Sequence, residues 1–238
     1  METTKGPGNL EAAVDQSWKG LYRAGGIAML ADGLILLLAT ALSPSLAPLL
    51  SGSSEAALKY LPGQLPAEVF LWLVVPVGLL LIPAILALCL ALKGIDKNAM
   101  VVAAAFLGLG IVFDLGVTGS QGLYLMTLSQ NYAAATSDAQ RAAYVAAADY
   151  ARTVLVVGLS IYSSLVLAIG FFIASFVMLK GIFRRAVAYS GIAISLLGIV
   201  AGLSILVPPL TILELLFPTL LAIWILPVGF RLYRLGRR

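Results

Sequence analysis

The chain has 238 residues, of which 61% are hydrophobic and only 11% charged, and its mean hydropathy is +1.03. Soluble domains carry about 25% charged residues, so this composition excludes an ordinary water-soluble globule and implies an integral membrane protein. The absence of His and the single Cys, Cys89, exclude histidine-ligated haem, His-containing zinc sites, imidazole acid-base catalysis and an intrachain disulfide.

The apolar runs each approach the ~20 residues that an α-helix needs to cross ~30 Å of hydrocarbon, so an all-α transmembrane bundle is expected rather than a barrel. Residues 1–18 read as a polar cytoplasmic tail and residues 19–238 as a single transmembrane domain. The first span is residues 24–42. Ala39-Thr40-Ala41 resembles a signal-peptidase site, but the preceding tail is long and contains acidic residues, which favours a retained span.

Residues 43–67, rich in Pro, Ser and Gly, form a loop with at most a short helix at 54–60. The second span, 68–92, contains Pro76 and Pro83, each expected to bend it. Residues 93–98 make a tight turn into the third span, 99–130. An Ala-rich helix over 137–151, capped by Thr136 or Ser137, leads into the fourth span at 152–179. The turn at 180–185 opens the fifth span, 186–207, which Pro208-Pro209 ends; the sixth, 211–230, contains Pro218 and Pro227.

Alternating the loops between the two sides places 12 of the 15 basic residues on one side, leaving Lys59, Arg141 and Arg152 on the other. The positive-inside rule then puts both termini in the cytoplasm and the protein in a plasma membrane. Topology and anionic headgroups explain the net charge of +4, so membrane lipids are expected partners and nucleic acid is not. Lys19-Gly20-Leu21-Tyr22-Arg23, Lys93-Gly94-Ile95-Asp96-Lys97 and Lys180-Gly181-Ile182-Phe183-Arg184 each precede an outward span. Three duplicated helical hairpins would give this pattern, and so would the ordinary need for a helix-ending Gly and anchoring cations at cytoplasmic turns.

Two carboxylates fall inside spans. An ionisable residue there costs about 2.5 to 3.5 kcal/mol on insertion scales, and either is expected to be neutral and hydrogen-bonded. Asp32 lies nine residues past Arg23, about 13 Å deep, and Asp114 sixteen past Asn98, about 24 Å deep. About 10 Å between levels would forbid a direct bond and allow two stations joined by water. The same ruler puts Tyr162, Ser163, Ser164 and Glu214 level with Asp114, and Thr118 and Gln121 on its helix face at i+4 and i+7. The expected site is therefore Asp114, Thr118, Gln121, Tyr162, Ser163, Ser164 and Glu214 in the outer half, with Asp32 deeper. Alternatively, Ser and Thr bond back to their own helices, and Gln121 and Glu214 sit at the wet interface.

No metal site, cofactor motif, nucleophile elbow, Walker loop or intramembrane aspartyl-protease motif occurs. The glycine pair of the first span, LLLIPAILALCLALKG in the second, AAAFLGLG opening the third and the closing FPTLLAIWILPVGFRL resemble a family of prokaryotic polytopic membrane proteins known only as a domain of unknown function. The resemblance covers about residues 22–232 and implies a prokaryotic membrane protein, with no reaction or site attached.

Two functions are expected from these residues. One is a non-enzymatic protein that binds or transports a small ion, a proton-linked or a lipid-like ligand. The other is an accessory or scaffold subunit of a larger complex or homo-oligomer, its aspartates fixing helix packing. The third span, thirty-two residues or about 48 Å, is longer than a membrane, so it is expected to project outward beside the Ala-rich helix, with Asp114 at the base of the projection.

Overall fold

The computed structural model describes residues 15–204 and 206–237. Among them every regular element is helical and none is a strand. Eight helices follow in order: α1 (Lys19–Leu42), α2 (Ala47–Ser51), α3 (Ser54–Tyr60), α4 (Leu65–Leu92), α5 (Lys97–Ala134), α6 (138–178), α7 (Arg185–Ala201) and α8 (Thr211–Leu235). The expected polar tail lies almost wholly outside the described residues.

Helix starts follow local chemistry. Asp96 accepts from the Ala99 N–H at 3.0 Å and opens α5; Ser53 accepts from Ala56 at 3.1 Å and opens α3. At α6, Ser137 accepts from Gln140 N–H while the Gln140 side chain accepts from Thr136 N–H, a reciprocal pair that satisfies two exposed donors. Ser137, not Thr136, is the cap. Pro76 and Pro83 stay within the continuous α4, and Pro218 and Pro227 within α8.

Among the described residues four segments are long and apolar enough to cross a membrane: Gln16–Leu49, Leu65–Leu92, Lys97–Ala134 and Ile212–Leu235. Six were expected. The other two are the shorter apolar helices Ser164–Met178 and Arg185–Ala201. The fifth is short because α7 stops at Ala201 and a turn occupies 202–204, well before Pro208. The fourth is short in apolar length because its outer part is the Ala-rich, charged beginning of α6.

Six helices close into a ring in which α1 packs on α4, α4 on α5, α5 on the second half of α6, α6 on α7, α7 on α8, and α8 back on α1. The inside is apolar, built around Met29, Leu88, Leu107, Phe171, Trp224 and Ile225. One end of the ring collects the basic turns: Lys93 Nζ sits 5.5 Å from the Trp18 ring centroid, Arg231 Nε donates to Ile182 O at 3.2 Å, and Gly181 lies against Ile95 and Leu92. Beyond the opposite end a second, separate core holds Leu46, Leu49, Leu58, Leu71, Leu125, Leu128 and Leu155, drawn from α2, α3 and the outer parts of α4, α5 and α6. The third expected span does run on as helix past Gly119, to Ala134, and forms part of this head.

Candidate functional site

α5 and α6 are each interrupted by π-helical turns, Asp114–Gly119 in α5 and Gly158–Val166 in α6. A π turn holds one more residue than an α turn and is found disproportionately at functional sites. The two interruptions lie side by side because the helices are antiparallel: Leu107 meets Gly170, Gly110 meets Leu167, and Thr118 meets Gly158. Interpolating between these contacts puts the backbone of residues 162–163 level with Asp114, as the depth ruler implied.

Asp32 and Asp114 are both buried, at 1% and 9% exposure. Asp32 stands on the inward stripe Tyr22, Gly25, Met29, Asp32, Ala39, otherwise built of apolar and small residues apart from the Tyr22 hydroxyl. Both of its carboxyl oxygens are buried and make no hydrogen bond among the described residues, contrary to the expectation of a hydrogen-bonded acid.

The expected 10 Å between the two levels is corrected. Lys93 over Trp18 marks the floor of the bundle, and Arg23, from which Asp32 was measured, lies five residues above it. Counted from Trp18, Asp32 is fourteen residues in, about 21 Å; counted from Lys97, Asp114 is seventeen in, about 25 Å. The packing agrees. Gly25 lies against Pro83 and Ala87 of α4, and seven residues onward along both helices Asp32 comes level with Gly78, which touches Leu115. The two carboxylates accordingly lie within electrostatic reach of each other.

Thr118 and Gln121 remain with Asp114 on the inward side of α5: Thr118 is 2% exposed, and Thr118 Oγ1 and Gln121 Oε1 are buried without a hydrogen bond among the described residues. Ser164 is buried, but its hydroxyl donates to Leu159 O at 3.2 Å and so serves its own π turn. Glu214 accepts from the Ser204 hydroxyl and so ties the link between α7 and α8. The side chains of Tyr162 and Ser163 lie outside the described residues. Asp32 and Asp114 are thus buried at similar depths, with Thr118 and Gln121 further along the Asp114 face of α5, while Ser164 and Glu214 are bonded elsewhere. Among the described residues no three His, Cys, Asp or Glu stand together as metal ligands.

A second polar site escaped the sequence reading. An open cleft of about 1020 Å³ in the outer head is lined by α3, the end of α5 and the start of α6. In it the Ser54 hydroxyl donates to Asp149 Oδ1 at 2.6 Å and accepts from Arg152 Nη1 at 3.0 Å, while Arg152 Nη2 donates to Gly52 O at 2.7 Å. Glu55 pairs with Lys59 at 2.7 Å and accepts from the Tyr132 hydroxyl at 2.9 Å. These bonds hold the Glu55 carboxyl below the usual range, Lys59 contributing most, and the same pairing raises Lys59. The one signal in the sequence was Asp149 and Arg152 standing i, i+3 in an otherwise alanine-rich helix.

Compared with family models, curated proteins and solved structures, the chain matches none of them.

Proposed function

We propose that the chain crosses a prokaryotic plasma membrane six times, with both termini cytoplasmic, and binds a proton or small cation at Asp32 and Asp114 as a non-enzymatic transport or sensing protein. The collection of basic turns at one end of a six-helix ring supports the crossings and the orientation. On this reading the π turns and the outer part of α6 complete the fourth crossing, and the residues up to Pro208 complete the fifth.

The observation that carries the proposal is the burial of two carboxylates at similar depths in the ring, one of them with neither oxygen hydrogen-bonded among the described residues. A buried carboxylate that lacks a partner is costly, and a proton or cation is the ligand that relieves it. The scaffold reading gives the aspartates a different task, bonding helix to helix, and Asp32 makes no such bond among the described residues.

The test uses dicyclohexylcarbodiimide, an apolar reagent that modifies protonated carboxyls in apolar surroundings. Mass spectrometry of the purified full chain should find the adduct on Asp32 or Asp114, lost in Asp32→Asn and Asp114→Asn. In proteoliposomes carrying a trapped pH dye and a potassium diffusion potential, the same substitutions should lower proton uptake to that of empty vesicles. Absence of labelling at both aspartates, with unaltered uptake in both variants, would refute the proposal.

A further inference from the structure

The outer cleft is lined by three cations, Lys59, Arg141 and Arg152, and three carboxylates, Glu55, Asp138 and Asp149. A simple anion or cation gains nothing net from such a lining, since attraction from one set is offset by repulsion from the other. A molecule with both signs on a short spacer gains from each. Lys59, Glu55 and Arg141 are solvent-facing, with side-chain exposures of 62%, 50% and 50%, and their pairings, Lys59 with Glu55 and Arg141 with Asp138 and Ala135 O, are exposed ones that a ligand can exchange for its own charges. The Ser54 hydroxyl bonds both Asp149 and Arg152 and so fixes that carboxylate and guanidinium on the cleft wall.

The lining also includes Ala133, Ala142, Val145 and Ala146, apolar surface that suits a hydrocarbon spacer. The cleft is also rigidly backed. α3 is fastened by Ser129 Oγ donating to Leu58 O at 3.1 Å and by the buried Ala57 and Leu58.

Its height identifies a candidate source. Thr118 lies about 6 Å beyond Asp114, and Arg152 about 9 Å beyond Gly158, which faces Thr118, giving about 40 Å from the Trp18 floor. On the six-crossing reading, on which this placement rests, that is the outer headgroup layer of a membrane about 40–45 Å thick overall.

We propose that the cleft binds a phosphoethanolamine group, its phosphate drawn by Arg152, Arg141 and Lys59 and its ammonium by Asp149 and Glu55. The group comes either from a lipid headgroup or from a free phosphate ester. Arginine suits the phosphate because its planar N–H donors match the oxygens.

Two arms test it on the full chain in detergent. In the first, calorimetry measures free phosphoethanolamine against ethanolamine and inorganic phosphate. In the second, native mass spectrometry measures retention of phosphatidylethanolamine against phosphatidylglycerol. Phosphoethanolamine, free or lipid-borne, should bind about 10-fold more tightly than its competitors, a difference of about 1.4 kcal/mol. Lys59→Gln and Glu55→Gln, at exposed positions, should each abolish most of that preference, and Arg152→Gln should remove it. Binding in the lipid arm alone supports a headgroup occupant; binding in the free arm alone supports the cleft chemistry and counts against its place in the headgroup layer. Equal binding of phosphatidylglycerol or inorganic phosphate, no binding in either arm, or a preference unmoved in Lys59→Gln and Glu55→Gln would overturn the proposal. The free arm requires no membrane, so its outcome is independent of the six-crossing reading.

Discussion

Replacing Asp32 by Leu separates a structural carboxyl from a functional one, because the two predict opposite signs. Asp32 is 1% exposed, and neither carboxyl oxygen has a hydrogen-bond partner among the described residues. Removing an unsatisfied buried polar group recovers about 1–3 kcal/mol. Insertion scales point the same way, with Asp at about +2.5 to +3.5 and Leu at about −0.3 to −0.6 kcal/mol near a helix centre. Leu is somewhat larger, and crowding beside Met29 takes back up to about 1 kcal/mol. The variant is therefore expected to be more stable by about 1–3 kcal/mol and to lose carbodiimide labelling and proton uptake. Reversible unfolding in mixed micelles, followed by tryptophan fluorescence, measures this. Trp224 gives a folded-state signal, since it donates to Val187 O at 2.7 Å and meets Phe171 edge-on at 5.6 Å. Destabilisation by 1 kcal/mol or more would mean that Asp32 holds a bond in the folded protein, and the ligand argument would fall with it.

Gly170→Ala places a Cβ within 2.6 Å of Leu107 Cγ and 3.0 Å of Leu107 N, where the backbone itself leaves no room. A loss of about 1–3 kcal/mol is expected in thermal melts, whereas Gly108→Ala, which faces open space, should be neutral or gain up to about 1 kcal/mol; equal behaviour of the two would refute the close α5–α6 contact. In the head, the Glu55 carboxyl is held below its reference value of 4.5 chiefly by Lys59 and then by Tyr132, so its contribution is fully present above pH 4.5 and is lost as pH falls through the depressed folded value. The Lys59 ammonium is raised above 10.5 by Glu55, so its contribution is present below pH 10.5 and is lost as pH rises through the raised value. Amide protection factors in Ser54–Tyr60, taken relative to intrinsic exchange at each pH, should fall at both extremes in the native protein and change little in Glu55→Gln; identical profiles would show that the pair does not hold this helix.

The helices were legible because some boundaries are written in polar residues: Asp96 and Ser137 each cap a helix start, whereas the Pro208-Pro209 pair did not show that α7 ends earlier, at Ala201. Inside the apolar runs no such signal exists. A π turn uses the same Leu, Val, Gly and Ser residues as an α turn, so Asp114–Gly119 and Gly158–Val166 could not be distinguished by composition. The level of Asp114 against residues 162–163 was recoverable because a tight turn and a loop fix where those two helices begin. The level of Asp32 was not, because the ruler needed its zero at Trp18, and only the contact with Lys93, seventy-five residues away in sequence, reveals that. The same distance hides the outer cleft, where Ser54 meets Asp149 and Arg152 across |i−j| of 95 and 98.

The corrected depth changes what the two aspartates can do. Carboxyls about 10 Å apart along the membrane normal would act as separate stations, each needing its own water or partner. On one level, with Leu115 beside Asp114 touching Gly78 and Gly78 level with Asp32, they flank a single region of the ring. On the proposed reading, one proton or small cation between the two carboxyls would serve both at once. The neighbouring π turns bear on access. Irregular backbone at membrane depth is tolerated where it is enclosed by protein or lines a cavity, and here both irregular stretches lie against each other at the level of Asp114. A change from π to α in α5 would turn its outer part relative to its inner part at the point where Asp114 and Thr118 stand.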